Sequence, residues 1–191
     1  MTGEPQWIWE HPLLRIEELY TSEGEKRLIV HRGSFAAVCL HLVTPSGEDA
    51  FLLIRQRRPT AETEFYEHPA GMLEPNEAPV EAALREIAEE TGWLLSAEDL
   101  IALFPHPLYP SPAFWKEKGY FYAARLQVPP AVLTAYKHPV ERLADQERLH
   151  LVAIPPQRVW ILTQNLQTIA HTLLYYAYLG TPYRILSSDS P

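Results

Sequence analysis

The stretch Gly71 to Trp93, GMLEPNEAPVEAALREIAEETGW, constrains this chain more than any other. It opens as a loop containing Gly71 and Pro75, and Asn76 or Glu77 stands where a helix cap belongs. A helix is therefore predicted from about Pro79 to Thr91, ended by Gly92. On it Val80, Ala83, Leu84 and Ile87 recur at the spacing of one buried face, while Arg85, Glu86, Glu89 and Glu90 point elsewhere.

Glu86, Glu89 and Glu90 fall within one helical turn, so their carboxylates repel by a few tenths of a kcal/mol per pair. One reading is a solvated acidic face. Such faces usually interleave lysine at i+4, yet Arg85 is the only Lys or Arg between Arg58 and Lys116. The other reading supplies the missing positive charge as a bound ion. Hard divalent ions such as Mg²⁺ or Mn²⁺ take oxygen ligands, commonly a few carboxylates completed by water and substrate phosphates.

The stretch resembles the Nudix box, G-x5-E-x7-R-E-U-x-E-E-x-G-U with U a bulky apolar residue. Gly71, Glu77, Arg85, Glu86, Ile87, Glu89, Glu90 and Gly92 fill its fixed positions without a gap, and Trp93 replaces the usual aliphatic residue at the end. Just ahead, Glu67-His68-Pro69-Ala70-Gly71 is similar to the E-L-P-A-G segment of the ADP-ribose pyrophosphatase branch, with His68 in place of leucine. The resemblance spans about residues 30 to 180. It implies an α/β/α sandwich with a mixed β-sheet and pyrophosphate hydrolysis of a nucleoside diphosphate joined to another group, ADP-ribose first among them. By the same resemblance Mg²⁺ or Mn²⁺ is held by Glu86, Glu89, Glu90 and the backbone carbonyl of Ala70, and Glu67 lies near substrate or holds the loop. Arg85 is read as orienting the carboxylates and Glu77 as its partner across the loop, with Gly71 and Gly92 in structural roles.

Composition argues against a nucleic acid as the main partner, and an anionic substrate would need its charge neutralised locally, which again favours a metal. The formal net charge is −8, whereas a surface that tracks a phosphate backbone is normally basic. The single cysteine, Cys39, excludes an internal disulfide and a cysteine-based zinc cluster. No stretch reads as a signal peptide or approaches a membrane span, so the expected location is cytoplasmic.

Residues 1 to 32 form an expected N-terminal β extension, in which Leu13 to Tyr20 and Lys26 to His31 read as a hairpin joined by Thr21-Ser22-Glu23-Gly24. Its aromatic residues cover the domain's own core or a second subunit, and the resemblance favours a homodimer. The catalytic domain is expected over 33 to 186, with a flexible tail at 187 to 191. Phe35 to Val43 reads as a buried strand partnered by Ala50 to Arg55, with His41 a satisfied histidine. Arg55, Arg57 and Arg58 are either a charged strand end or, for Arg55 and Arg57 above all, phosphate contacts.

Beyond the box, Leu100 to Phe104 reads as a short strand and Gly119 to Leu126 as an aromatic-rich one. Ser111-Pro112-Ala113 and Glu117 are similar to a Ser-Pro-Gly segment and glutamate of the same branch, which points to Pro112 at the substrate. Pro130 to Tyr136 reads as a helix start and Val140 to Ala144 as another. In the family an acid just before the next strand assists the attacking water, which makes Asp145 or Glu147 the candidate. A last helix is expected over Leu166 to Leu179, packing through Ile169, Leu173, Leu174 and Tyr176 and ending at Gly180. Two further readings stay open: a Nudix hydrolase of another nucleotide sugar, dinucleoside polyphosphate or coenzyme A, and a non-catalytic nucleotide sensor.

Overall fold

A computed structural model describes residues 6–59, 61–144 and 147–180. Asp145 and the expected tail at 187 to 191 lie outside them. The N-terminal extension is a three-stranded antiparallel sheet rather than a hairpin: β1 (Gln6–His11) precedes the expected pair, β2 (Leu14–Tyr20) and β3 (Lys26–His31). Trp7 and Trp9 belong to β1, where a register shift between them interrupts the alternation that would have marked the strand in sequence.

β4 (Phe35–Val43) is buried along its whole length and sits at the centre of an eight-stranded mixed sheet. It pairs antiparallel with β5 (Asp49–Arg58) and parallel with β9 (Gly119–Gln127). A strand with neighbours on both edges and layers on both faces must be nearly continuous in apolar residues, and all of its residues but His41 are. β6 (Thr63–Glu67) joins β5, β7 (Ala70–Met72) joins β4, and β8 (Ile101–Ala102) is a short remnant of the expected Leu100–Phe104 strand.

The sheet is closed by β10 (Val140–Ala144) and β11 (Glu147–Ile154), which corrects the second helix start expected at Val140. β10 satisfies its backbone against β11 in register from Val140–Leu151 to Ala144–Glu147, a pairing no local pattern reveals. The helix expected at Pro130 is α2 (Pro130–Ala135).

One face of the sheet buries Leu40, Leu42, Leu52 and Ile54 against Ala82, Ala83 and Ile87 of α1 (Pro79–Glu86) and its continuation. The opposite face packs Cys39, Phe51 and Leu53 with Val159 of α3 (Val159–Leu162) and Tyr175 of α4 (Leu166–Leu179). α4 has the expected bounds, and Gly180 closes it in the left-handed region at φ 63°. Of the residues expected to pack, Leu174 and Tyr176 do lie against the core, but the most deeply buried stripe is a different one. Thr168, His171, Thr172 and Tyr175 face inward while Leu173 is 42% exposed.

Most polar atoms of that stripe and of its partner His68 are bonded, leaving His68 Nδ1 and His171 Nδ1 as the buried ones without a partner among the described residues. The Thr172 hydroxyl donates to the Thr168 carbonyl (2.8 Å), His171 Nε2 contacts the Tyr122 carbonyl (2.7 Å), and His68 Nε2 contacts Thr172 Oγ1 (2.9 Å). His41 is satisfied as expected, between the Tyr175 hydroxyl (2.9 Å) and Asp49 (2.8 Å).

Burial pushes the histidines toward their neutral forms: His171 down to about 4, His68 well below the ordinary range, and His41 downward against the opposing pull of Asp49. The unfolded chain takes up these protons near the ordinary 6.5, whereas the folded chain resists until lower pH. Stability is therefore complete above about pH 6.5 and is lost as pH falls from there toward 4. For His171 alone the loss is about 2 kcal/mol by about pH 5. The melting temperature should drop across that window, and His171→Gln should flatten the drop. A melting temperature that stays level from about pH 7 to 5 would contradict this account.

Candidate active site

The loop from Met72 to Ala78 and helix α1 are assembled by one arginine. Arg85 Nε and Nη2 donate to the two oxygens of Glu77 (2.8 and 3.0 Å), Nη2 also donates to the Met72 carbonyl (2.9 Å), and Nη1 donates to Glu86 (2.7 Å) and Glu89 (3.1 Å). The guanidinium holds the Glu77 carboxyl down at about 2, helped by the Glu74 backbone N–H, and is itself held more firmly protonated. Glu77 is thus no cap. The N-cap is Ala78, whose N–H donates to Glu81 (2.9 Å), and Asn76 turns the loop in the left-handed region at φ 67°.

The predicted single helix is two pieces. α1 ends at Glu86 and passes into a π-helical turn, Ile87–Thr91, before Gly92 at φ 77°. Such turns occur often at functional sites, where the widened spiral re-aims side chains. Here Glu86, expected to point away from the core, is buried. It lies so close over Gly71 that a Cβ there would sit 1.8 Å from Glu86 Oε1. No side chain fits at position 71 without displacing that carboxylate. Glu90 turns to the same loop, where its Oε2 accepts from the Ala70 N–H (3.0 Å). Burial, and then the neighbouring Glu86 charge, push the Glu90 carboxyl well up.

Glu86, Glu90 and the Ala70–Gly71 backbone therefore converge, while Glu89 turns toward Arg85. Among the described residues no three His, Cys, Asp or Glu side chains close a metal shell by themselves. An oxygen-only set of two packed carboxylates and a backbone fits a hard, partly hydrated ion of the Mg²⁺ class better than an all-protein cage.

The cleft in front of this loop measures about 670 Å³ and is lined by Ala70, Gly71, Glu67, Arg58, Glu117 and Asn165 among others. Glu67 is buried and fully engaged. It accepts from Gln56 Nε2 (3.0 Å), Arg58 Nη2 (2.6 Å) and Asn165 Nδ2 (2.7 Å). Asn165 meanwhile caps α4 by accepting from the N–H groups of Gln167 (2.8 Å) and Thr168 (3.3 Å).

Of the arginine cluster it is Arg58 that reaches this cleft. Arg55 lies 3.6 Å from Glu64 and Arg57 is exposed; neither lines the cleft. Alternation along β5 separates them: Arg58 shares a face with Gln56 and Ile54, and Ile54 pairs with Glu67. Pro112 lies away from the glutamates, in a groove with Tyr109 against Leu19 and Ile29 of the N-terminal sheet. Glu147 opens β11, exposed, and its charge is felt at Arg58. Trp93 packs against the α1-side core with Nε1 3.4 Å from the Tyr136 hydroxyl, so the unusual last position of the motif is accommodated.

The model of the NUDIX domain family matches residues 34–159, about two-thirds of the chain. The chain belongs to the NUDIX domain family. This NUDIX chain is 38% identical over 101 residues to an ADP-ribose pyrophosphatase of Bacillus subtilis (strain 168), covering 52% of the chain and 50% of that protein. It is 33% identical over 109 residues to a methanol dehydrogenase activator of Bacillus methanolicus, covering 56% and 54%. The chain thus spans about half the length of the curated relatives it matches. Among solved structures, an ADP compounds hydrolase superposes with a TM-score of 0.62 at 19% identity, over 93% of this chain and 95% of that one, a likeness of fold.

Proposed function

We propose that the protein hydrolyses the pyrophosphate bond of a nucleoside diphosphate joined to another group, with ADP-ribose as the preferred substrate and AMP and ribose 5-phosphate as products. The observation that carries this reading is the convergence of Glu86 and Glu90 on the Ala70–Gly71 backbone at the mouth of a cleft large enough for a nucleotide. The similarity to an ADP-ribose pyrophosphatase supports the choice of substrate.

Glu86, Glu90 and the Ala70 carbonyl would hold Mg²⁺ or Mn²⁺, with Glu89 reached through water. When bound, such ions neutralise diphosphate charge and acidify an attacking water. Arg85 acts at one remove by fixing Glu77, Glu86 and Glu89. Glu67, Arg58 and Asn165 keep the loop that carries Ala70 in place. The carboxylate of Asp145 or Glu147 is the proposed general base that takes the proton from the attacking water.

The test is a substrate panel of ADP-ribose, nucleotide sugars, dinucleoside polyphosphates and coenzyme A, assayed with Mg²⁺ and again with chelator. ADP-ribose should be cleaved fastest, and chelation should abolish the reaction. Metal-independent cleavage, or binding heat without turnover, would reject the reading. We also read the three-stranded sheet as the pairing element of a homodimer, because Ile8, Trp9, Leu13, Tyr20 and Leu28 are exposed on it. Light scattering should give twice the chain mass in solution, and a monomer at about 100 μM would refute it.

A further inference from the structure

Between the N-terminal sheet and the catalytic cleft lies a second cavity of about 340 Å³. Four of the sixteen lysines and arginines line it, Arg15, Arg32, Lys116 and Lys118, together with His11 and His31, and among the described residues no acidic one does so. In a chain of net charge −8 this is a pronounced local reversal of sign.

Two backbone bonds fix the lysines. The Lys116 N–H donates to the Val30 carbonyl (2.8 Å), and the Phe35 N–H donates to the Lys118 carbonyl (2.9 Å). Lys116 and Lys118 line this cavity, whereas Glu117 between them lines the catalytic cleft, 3.2 Å from Arg32. That division follows the alternation of an extended segment. Several cations here already have partners: Arg15 lies 4.4 Å from the Trp7 ring centre, His31 is 2.6 Å from Glu17, and Arg32 meets Glu117. Lys116 and Lys118 enter no ion pair among the described residues. The two lysines, which no acid neutralises among the described residues, repel the neighbouring cations, and an anion bound between them relieves that repulsion.

We propose that this cavity binds a phosphomonoester, with Lys116 and Lys118 as its principal ligands and Arg32 at the border with the cleft. Its volume accommodates the sugar that carries the phosphate as well as the phosphate itself. The phosphate belongs either to the substrate, on the moiety distal to the diphosphate, or to a separate phosphorylated sugar. The first source rests on the hydrolase reading above; the second does not.

Two arms test this. In the first, ribose 5-phosphate is titrated calorimetrically into the full chain with EDTA present, which removes cation bridging at the glutamates. Binding is expected, weakened at least about tenfold by K116E/K118E and untouched by the matched surface pair K137E/R148E. In the second, KM is compared for ADP-ribose and its 2′-phosphate with Mg²⁺. A lower KM for the phosphorylated compound, lost in K116E/K118E, assigns the phosphate to the substrate. Binding in the first arm with equal KM values assigns it to a separate ligand. No binding up to about 10 mM ribose 5-phosphate, together with a KM ratio unchanged by K116E/K118E, overturns the site. If neither compound is hydrolysed, the titration alone decides, so a failure of the hydrolase reading remains distinguishable.

Discussion

Glu90→Gln should lower turnover by about a thousandfold while leaving the protein at least as stable as the parent. The amide keeps an oxygen to accept from the Ala70 N–H, which Glu90 Oε2 does at 3.0 Å, so the loop keeps its anchor. What disappears is a half-buried carboxyl beside Glu86, which burial and then the Glu86 charge already push upward. Without metal, the variant should melt at the same temperature or higher. Helical spacing places Glu90 off the buried face, yet its carboxylate packs on the Ala70 loop, so the change is tolerated because it is nearly isosteric rather than because the position is open. Initial rates over a range of Mg²⁺ and calorimetric melting of both proteins check the result. Near-parental activity would remove Glu90 from the proposed ion site.

Arg85→Ala should have the largest effect on stability, about 3–5 kcal/mol, because it takes the cation from three carboxylates while leaving them in place. Glu77 and Glu86 are largely shielded, with side chains only 13% and 11% exposed, so water cannot replace the guanidinium fully. The Met72 carbonyl loses its donor as well. A melting temperature lower by roughly 10 °C is expected, with activity lost in parallel. Arg85→Lys should fall between, since one ammonium cannot span Glu77, Glu86 and Glu89 together. Equal melting of Arg85→Ala and parent would show that the network contributes little to folding.

Much of the fold is legible in the sequence where burial and periodicity coincide. The apolar run of β4, broken only by His41, reads as a strand covered on both faces, and α4 is bounded by Asn165 and Gly180. Legibility fails where tertiary partners overrule local pattern. β10 pairs with β11 although Val140 to Ala144 reads equally well as helix. The inner face of α4 is polar because His68, in the loop after β6, and Tyr122, on β9, supply partners distant in sequence, which hydrophobic spacing cannot anticipate.

The site divides in the same way. Motif spacing marks Gly71, Glu77, Arg85, Glu86, Glu89, Glu90 and Gly92, but not the split of the helix at Ile87 or the turning of Glu89 toward Arg85. Arg58 sits in a visible cluster, and only strand pairing distinguishes it from Arg55 and Arg57. Asn165 bears a helix-capping signal, and nothing local to it announces a bond to a residue 98 positions earlier.

That bond bears on where the molecule can be cut. The family model ends at residue 159, six residues short of Asn165, and α4 lies wholly beyond it. A truncation made at the recognised boundary would retain every letter of the motif yet sever the ties from Asn165 to Glu67 and from Thr172 to His68. The smallest piece that inherits the signature is therefore shorter than the smallest piece that can hold it in working shape.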